Sequence, residues 1–207
     1  MYELVRLISI IIFRILFRMK IAGKESVPAR GAFIVVANHD SLLDGFVIAS
    51  AINRRITFLS AAHLFEISPV GWFLKKMRAI PVKNEGQNFG SLKKALDVLK
   101  KNGVLGIFPE GGIRDTNMYS GAVYVAAKSG APILPVAILG TYKALPPGKK
   151  FPRLTSIEVK VGRLVNIPRK ERVSRKGMEV DTKLLEQTLI SLKRDQCQEG
   201  FSLYVGS

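Results

Sequence analysis

Cysteine, histidine and tryptophan are nearly missing from this chain of 207 residues, which holds one Cys, two His and one Trp. A single Cys197 excludes an intrachain disulfide framework and suits a reducing compartment. Its place in a polar C-terminal segment makes it a poor candidate nucleophile. His39 and His63, without a Cys pair, are too few to build a tightly bound catalytic metal site, so none is expected. Phosphate-cradling glycine motifs are missing as well: there is no GxxxxGKS or GxxxxGKT and no GxGxxG behind a strand, so no resident nucleotide cofactor is expected. Acidic residues are scarce, with 16 Asp and Glu against 32 Lys and Arg and a formal charge of +16. That balance calls for an anionic partner: nucleic acid, anionic lipid or an acidic protein. Aromatics are not interleaved with the basic runs and no DNA or RNA motif occurs, so nucleic acid is not the expected partner.

Long hydrophobic runs are also lacking. The N-terminal stretch 4–17, LVRLISIIIFRILF, falls short of the roughly 18–20 apolar residues a span needs, and Arg14 interrupts it. Charges follow it and no small-residue cleavage site does, which argues against a signal peptide. At 100° per residue, Leu4, Val5, Ile8, Ile11, Ile12, Ile15 and Leu16 share one broad face. Glu3, Arg6, Arg14 and Arg18 gather opposite. Residues 1–20 are therefore expected to form an amphipathic helix in a membrane interface, with its arginines at the headgroups. The competing readings are a helix packed on its own domain and a helix pairing with another protomer.

What is present is enough apolar sequence, 47% of the residues, for one well-buried domain. Buried strands are expected at 32–37, 56–59, 104–108 and 132–138, and an alternating edge strand at 157–161. Helices are expected at about 43–52, 62–78 with a break at Ser68-Pro69, 88–102, 119–129 and about 179–195. Alternation with short links predicts a single α/β domain over 21–207, with a largely parallel mixed sheet flanked by helices.

Candidate chemistry gathers where two of these strands end. The run 32–37 leads into Asn38-His39-Asp40-Ser41-Leu42-Leu43-Asp44, and the run 104–108 into Pro109-Glu110-Gly111-Gly112. Sites in open α/β sheets lie at the carboxyl ends of strands. A histidine at a turn can be no more than a satisfied core residue, but five polar groups concentrated at one strand end favour a base, His39, with Asp44 to orient it. Asp40 and Ser41 read as local capping groups. Ser41 is a weak nucleophile candidate, because it is not in a strand–Ser–helix elbow. Gly111 and Gly112 permit close approach to the backbone, and Arg114 is near for an anion. Arg78 and Lys83 flank Ile80-Pro81-Val82 in a second positive turn.

Four blocks now stand in order: Asn38-His39 with Asp44, Ala79-Ile80-Pro81-Val82, Phe108-Pro109-Glu110-Gly111, and Ile133-Leu134-Pro135-Val136-Ala137-Ile138. Over about residues 15–165 the chain resembles the 1-acylglycerol-3-phosphate (lysophosphatidic acid) acyltransferases, a family of glycerolipid acyltransferases. The resemblance implies the glycerolipid acyltransferase-like fold, His39 and Asp44 as catalytic pair, and Glu110 with Gly111 as the acceptor-binding turn. It further implies acyl transfer from acyl carrier protein or coenzyme A thioesters, as co-substrates rather than cofactors, to a lysophospholipid hydroxyl. Phosphatidic acid in phospholipid biosynthesis would be the product. The expected partners are a membrane lipid acceptor, an anionic membrane surface and an acyl carrier protein. The expected location is the cytoplasmic face of the cell membrane, peripheral or monotopic. The blocks also depart from the family pattern. Gly112 and Ile113 stand where Thr and Arg are usual, with Arg114 one residue late. Arg78, Lys83 and Asn84 replace Gly, Asp and Arg around the second block. The stretch Ser60-Ala61-Ala62-His63-Leu64-Phe65 lacks the lysine that is common between the first two blocks. The usual cationic contacts to the acceptor phosphate are thus lost or moved. Two alternatives follow: an acyltransferase for another lysolipid, or a lipid-binding relative with weak or no activity.

Overall fold

Short apolar runs too rich in Val, Ile and Leu for a one-sided sheet become strands buried on both faces. The computed structural model describes residues 2–68, 70–83, 88–108, 119–149 and 151–194. Its seven strands are β1 (Lys20–Ala22), β2 (Phe33–Ala37), β3 (Ile56–Ala61), β4 (Ile80–Val82), β5 (Val104–Ile107), β6 (Ile133–Leu139) and β7 (Glu158–Val161). They form one sheet in the order β1-β7-β6-β2-β5-β3-β4, parallel throughout except where β7 runs antiparallel to β6. The helices are α1 (Tyr2–Ile15), α2 (Asp44–Ala51), α3 (Val70–Lys76), α4 (Phe89–Lys100), α5 (Tyr119–Ser129), the short α6 (Thr141–Ala144) and α7 (Arg175–Arg194). Several elements differ from the sequence expectation, beginning with the N-terminal helix, which stops at Ile15 rather than running to residue 20. The segment 157–161 is not an edge strand, because β1 pairs with its outer side. Three residues carry too little periodicity to announce β1. Of the helix expected at 62–78 with a break at Ser68-Pro69, the part before the break is only a 3-10 turn, Ala62–Phe65, and the part after it is α3.

The central strand β2 shows how the layers arise. Phe33, Val35 and Ala37 point to one face, against Phe13 and Phe17 of the N-terminal segment and Val47, Ile48 and Ala51 of α2. Ile34 and Val36 point to the other, against Ala95 and Leu99 of α4, Ala122 and Ala126 of α5, and Leu185 and Leu189 of α7. Period two in the strand meets period three to four in each helix.

Helix α1 does pack on its own domain, but not through its broad apolar face. A narrow stripe of Tyr2, Ser9 and Phe13 is buried. The Tyr2 hydroxyl accepts the Ile56 N–H at 3.0 Å, and burial pushes its pKa up, so it stays neutral. Arg6, expected at the headgroups, turns inward instead. It donates from Nε to the Ala49 carbonyl (3.2 Å) and from Nη2 to Asn53 Oδ1 (2.6 Å), satisfying an orphan carbonyl in the last turn of α2. Leu4, Leu7, Ile8, Ile11, Ile12, Ile15 and Leu16 all remain exposed.

Candidate active site

The site begins with Asn38, which continues β2 beyond its last ladder bond. Its side chain accepts the Ile138 N–H (2.8 Å) and donates to the Ile138 carbonyl (2.9 Å), clamping the end of β2 to β6. The chain then turns, and α2 starts at Asp44. That carboxylate is fully buried, and its Oδ2 accepts three hydrogen bonds: from the backbone N–H of Asp40 and of Ser41, each at 2.7 Å, and from His39 Nδ1 at 3.0 Å. An ionised carboxylate only accepts, so Nδ1 carries the proton and Nε2 keeps the lone pair.

Aromatic packing fixes the imidazole plane. The His39 ring stacks on Phe108 with centroids 4.4 Å apart, and Phe108 stacks on Phe58 at 5.7 Å. The stack is possible because β5 carries Gly106 beneath it. A Cβ there would lie 2.5 Å from Phe58 Cδ1 and 2.8 Å from Ile56 Cγ2. We expect Gly106→Ala to push Phe58 out of the stack and destabilise the fold by about 1–3 kcal/mol. Thermal unfolding measures that loss, and a parallel fall in His39-dependent turnover would mark the disturbed imidazole.

His39 opens onto an apolar cavity of about 530 Å³. The cavity runs from His39 along Gly45, Phe46 and Ala49 of α2, between β3 and α3, to Tyr2, Val5 and Arg6 of α1. Along α2 the lining runs from Gly45 to Ala49, one helical turn or roughly 6 Å of its axis. A histidine base at one end of a long apolar slot can deprotonate a hydroxyl beside a reacting group attached to a hydrocarbon chain.

The neighbours of the pair have structural duties. Ser41 is buried and its Oγ donates to the Leu145 carbonyl at 2.8 Å. The Asp40 carboxylate accepts from Asn38 Nδ2 (2.6 Å) and pairs with Lys193 at 3.7 Å. Lys83 sits at the carboxyl end of β4, the same edge of the sheet as His39, with its backbone bonded both ways to the Asn88 side chain. Arg78 lies at the opposite end of β4, exposed and in a left-handed conformation (φ 59°) that closes the turn after α3. The structure therefore separates Arg78 from the His39 edge. Glu110, Gly111, Gly112 and Arg114, like Asn84 and Cys197, lie outside the described residues.

Two features escaped the sequence reading. The cavity was legible only as two small residues one helical turn apart, Gly45 and Ala49. Lys193, delivered to Asp40 by the far end of α7, had no local signal at all.

A family model described as Acyltransferase matches residues 18–139, more than half of the chain. The chain belongs to the acyltransferase family. Among its relatives is the 1-acyl-sn-glycerol-3-phosphate acyltransferase of Bacillus subtilis, 28% identical over 165 residues, covering 75% of this chain and 81% of that protein. The chloroplastic 1-acyl-sn-glycerol-3-phosphate acyltransferase of Arabidopsis thaliana is 31% identical over 141 residues, covering 65% of this chain. The match spans only 39% of that longer protein. In fold, the acyltransferase is similar to the crystal structure of the 1-acyl-sn-glycerophosphate acyltransferase of Thermotoga maritima. The TM-score is 0.74 at 24% identity, covering 95% of this chain and 80% of that one.

Proposed function

We propose that this acyltransferase moves a fatty acyl group from a coenzyme A or acyl carrier protein thioester to the free hydroxyl of 1-acylglycerol-3-phosphate, giving phosphatidic acid for phospholipid synthesis. The observation that carries the proposal is the His39–Asp44 pair opening onto an apolar cavity of about 530 Å³, which offers a hydrocarbon chain a place beside the base. The names of the relatives support the choice of acceptor.

The reaction needs no covalent intermediate on the protein. His39 Nε2 takes the acceptor hydroxyl proton as that oxygen bonds to the thioester carbonyl carbon. Asp44 stabilises the imidazolium. The tetrahedral intermediate then collapses, the carbon–sulfur bond breaks, and the imidazolium returns its proton to the leaving thiolate. An ester and a thiol result, and the base is restored. Glu110, Gly111, Gly112 and Arg114 are assigned to the acceptor side, together with Lys83 at the His39 edge of β4. Asp44 itself is not a substrate contact, being sealed beneath the turn. The basic surface suits an acidic acyl carrier protein and an anionic membrane. Among the described residues no helix is long and apolar enough to cross a membrane. We assign the chain to a peripheral position on the cytoplasmic face, held through α1.

The direct test incubates purified full chain with each thioester donor and a panel of lysolipids, followed by mass analysis of the lipids. Phosphatidic acid as the dominant product supports the proposal. A different diacyl product would reassign the acceptor, as the altered Gly112-Ile113 positions permit. No product from any pair would leave a lipid binder.

The cavity makes a second expectation. Gly45 lines it, and a Cβ built there meets no atom within 4 Å. Gly45→Leu should therefore fold, fill the slot close to His39, and shift preference toward shorter acyl donors by at least about tenfold. Competition between short and long thioesters measures the ratio, and an unchanged ratio would separate the cavity from the acyl chain.

A further inference from the structure

The two most exposed large apolar side chains among the described residues are not on α1. They are Phe151, 85% exposed, and Leu154, 73% exposed, in the loop between α6 and β7. Single exposed apolar residues are common on protein surfaces, so the charge around these two is what gives them meaning. Between residues 140 and 157 the sequence carries four cations, Lys143, Lys149, Lys150 and Arg153, and no carboxylate. Apolar tips among cations with no compensating acid are the composition of an anionic-bilayer contact.

The loop's anchorage gives that composition a direction. Its root is tied to the active-site turn, through Ser41 Oγ to the Leu145 carbonyl at 2.8 Å. It closes on itself through the Arg153 N–H and the Ala144 carbonyl at 2.7 Å. Its exit is tied to the end of the N-terminal segment: the Ile157 N–H donates to the Phe17 carbonyl, and the Lys20 N–H to the Ile157 carbonyl, each at 3.0 Å. The uncovered stripe of α1 ends at Ile15 and Leu16, just before Phe17. The loop thus adjoins the C-terminal end of that stripe on one side and the His39 turn on the other.

We propose that the 145–156 loop is a second membrane-docking element, which inserts Phe151 and Leu154 among anionic lipids beside the α1 stripe and so fixes the His39 edge of the sheet against the headgroups. A second copy of this chain is disfavoured as occupant, since two such cationic loops would repel. The inference deepens the reading of the substrate as a membrane lipid, but its primary test requires no catalysis.

Full-length wild type and a Phe151→Ser/Leu154→Ser double variant are sedimented with vesicles of phosphatidylcholine alone or mixed equally with phosphatidylglycerol. Wild type should bind the mixed vesicles, and the double variant about tenfold or more weaker. Arg153→Gln with Lys149→Gln should weaken binding to mixed vesicles only, by about fivefold per charge at low salt. The melting temperature of the double variant should be unchanged, because both side chains already face solvent. Its turnover of a monomeric short-chain lysolipid should be unchanged too, while turnover of vesicle-borne acceptor falls. Equal vesicle binding by wild type and double variant overturns the proposal. So does a wild type that ignores both vesicles, or one that is dimeric in solution and made monomeric by the double substitution. Loss of acyl transfer alone, with vesicle binding as expected, would instead count against the enzymatic reading.

Discussion

His39→Ala should lower acyl transfer on the order of 10³-fold, with the fold intact. The side chain is about one-quarter exposed, and its ordered contacts are the Asp44 carboxylate and the Phe108 ring. Truncation therefore removes the base and little packing, so the melting temperature should move far less than the rate. Steady-state assays with saturating thioester and acceptor give the comparison. Substrate affinity should change little, because Nε2 acts on a proton rather than holding a headgroup. A His39→Ala protein that retained wild-type turnover would exclude this histidine as the base.

Asp44 should respond in two separable ways. Asp44→Asn keeps the shape but removes the charge that holds Nδ1–H and stabilises the imidazolium, so activity should fall on the order of 10³-fold or more. Asp44→Ala removes in addition the acceptor for the Asp40 and Ser41 amides. Leaving those donors unsatisfied in the turn should cost about 1–3 kcal/mol each and lower the melting temperature by roughly 5–20 °C. The Asn variant should melt closer to wild type. Equal loss of stability in both variants would mean the charge, not the hydrogen-bonding geometry, holds the turn.

How far the molecule was legible from sequence varies with the range of the interaction. The strands Phe33–Ala37, Val104–Ile107 and Ile133–Leu139 are self-evident, because burial on both faces writes an uninterrupted apolar run. Fold class and family follow from those runs and the blocks at their ends. The Asn38–Asp44 turn was readable as a polar cluster after a buried strand, yet the three donors on one Asp44 oxygen are a property of the folded turn. Helix α1 shows the limit of periodicity. Its wheel found an apolar face correctly but could not say that a different, mixed stripe, Tyr2, Ser9 and Phe13, would dock and leave the apolar face bare. Arg6 was misplaced for the same reason: its partner is a carbonyl on another helix. The cavity belongs to three helices and a strand at once, so its local trace is no more than Gly45 and Ala49, and Lys193 comes from 153 residues away to reach Asp40 with no local signature.

The same contrast separates the His39 turn from the exposed cations around β4. His39 is held between the buried Asp44 carboxylate and the Phe108 ring, and Asn38 is clamped to Ile138, so substitution at either position removes contacts. Lys83 and Arg78 are exposed at the ends of a three-residue strand, where substitution costs the fold almost nothing.

Direct attack by the acceptor hydroxyl is best tested by mixing full-length protein with a single equivalent of acyl thioester, before and after adding 1-acylglycerol-3-phosphate. Free thiol, intact protein mass and lipid product are followed together. Without acceptor, no thiol should be released and the protein mass should stay unchanged; on addition, one phosphatidic acid should form for each thiol released. An acyl adduct on the protein, or thiol released at the same rate without acceptor, would contradict direct transfer by the His39–Asp44 pair.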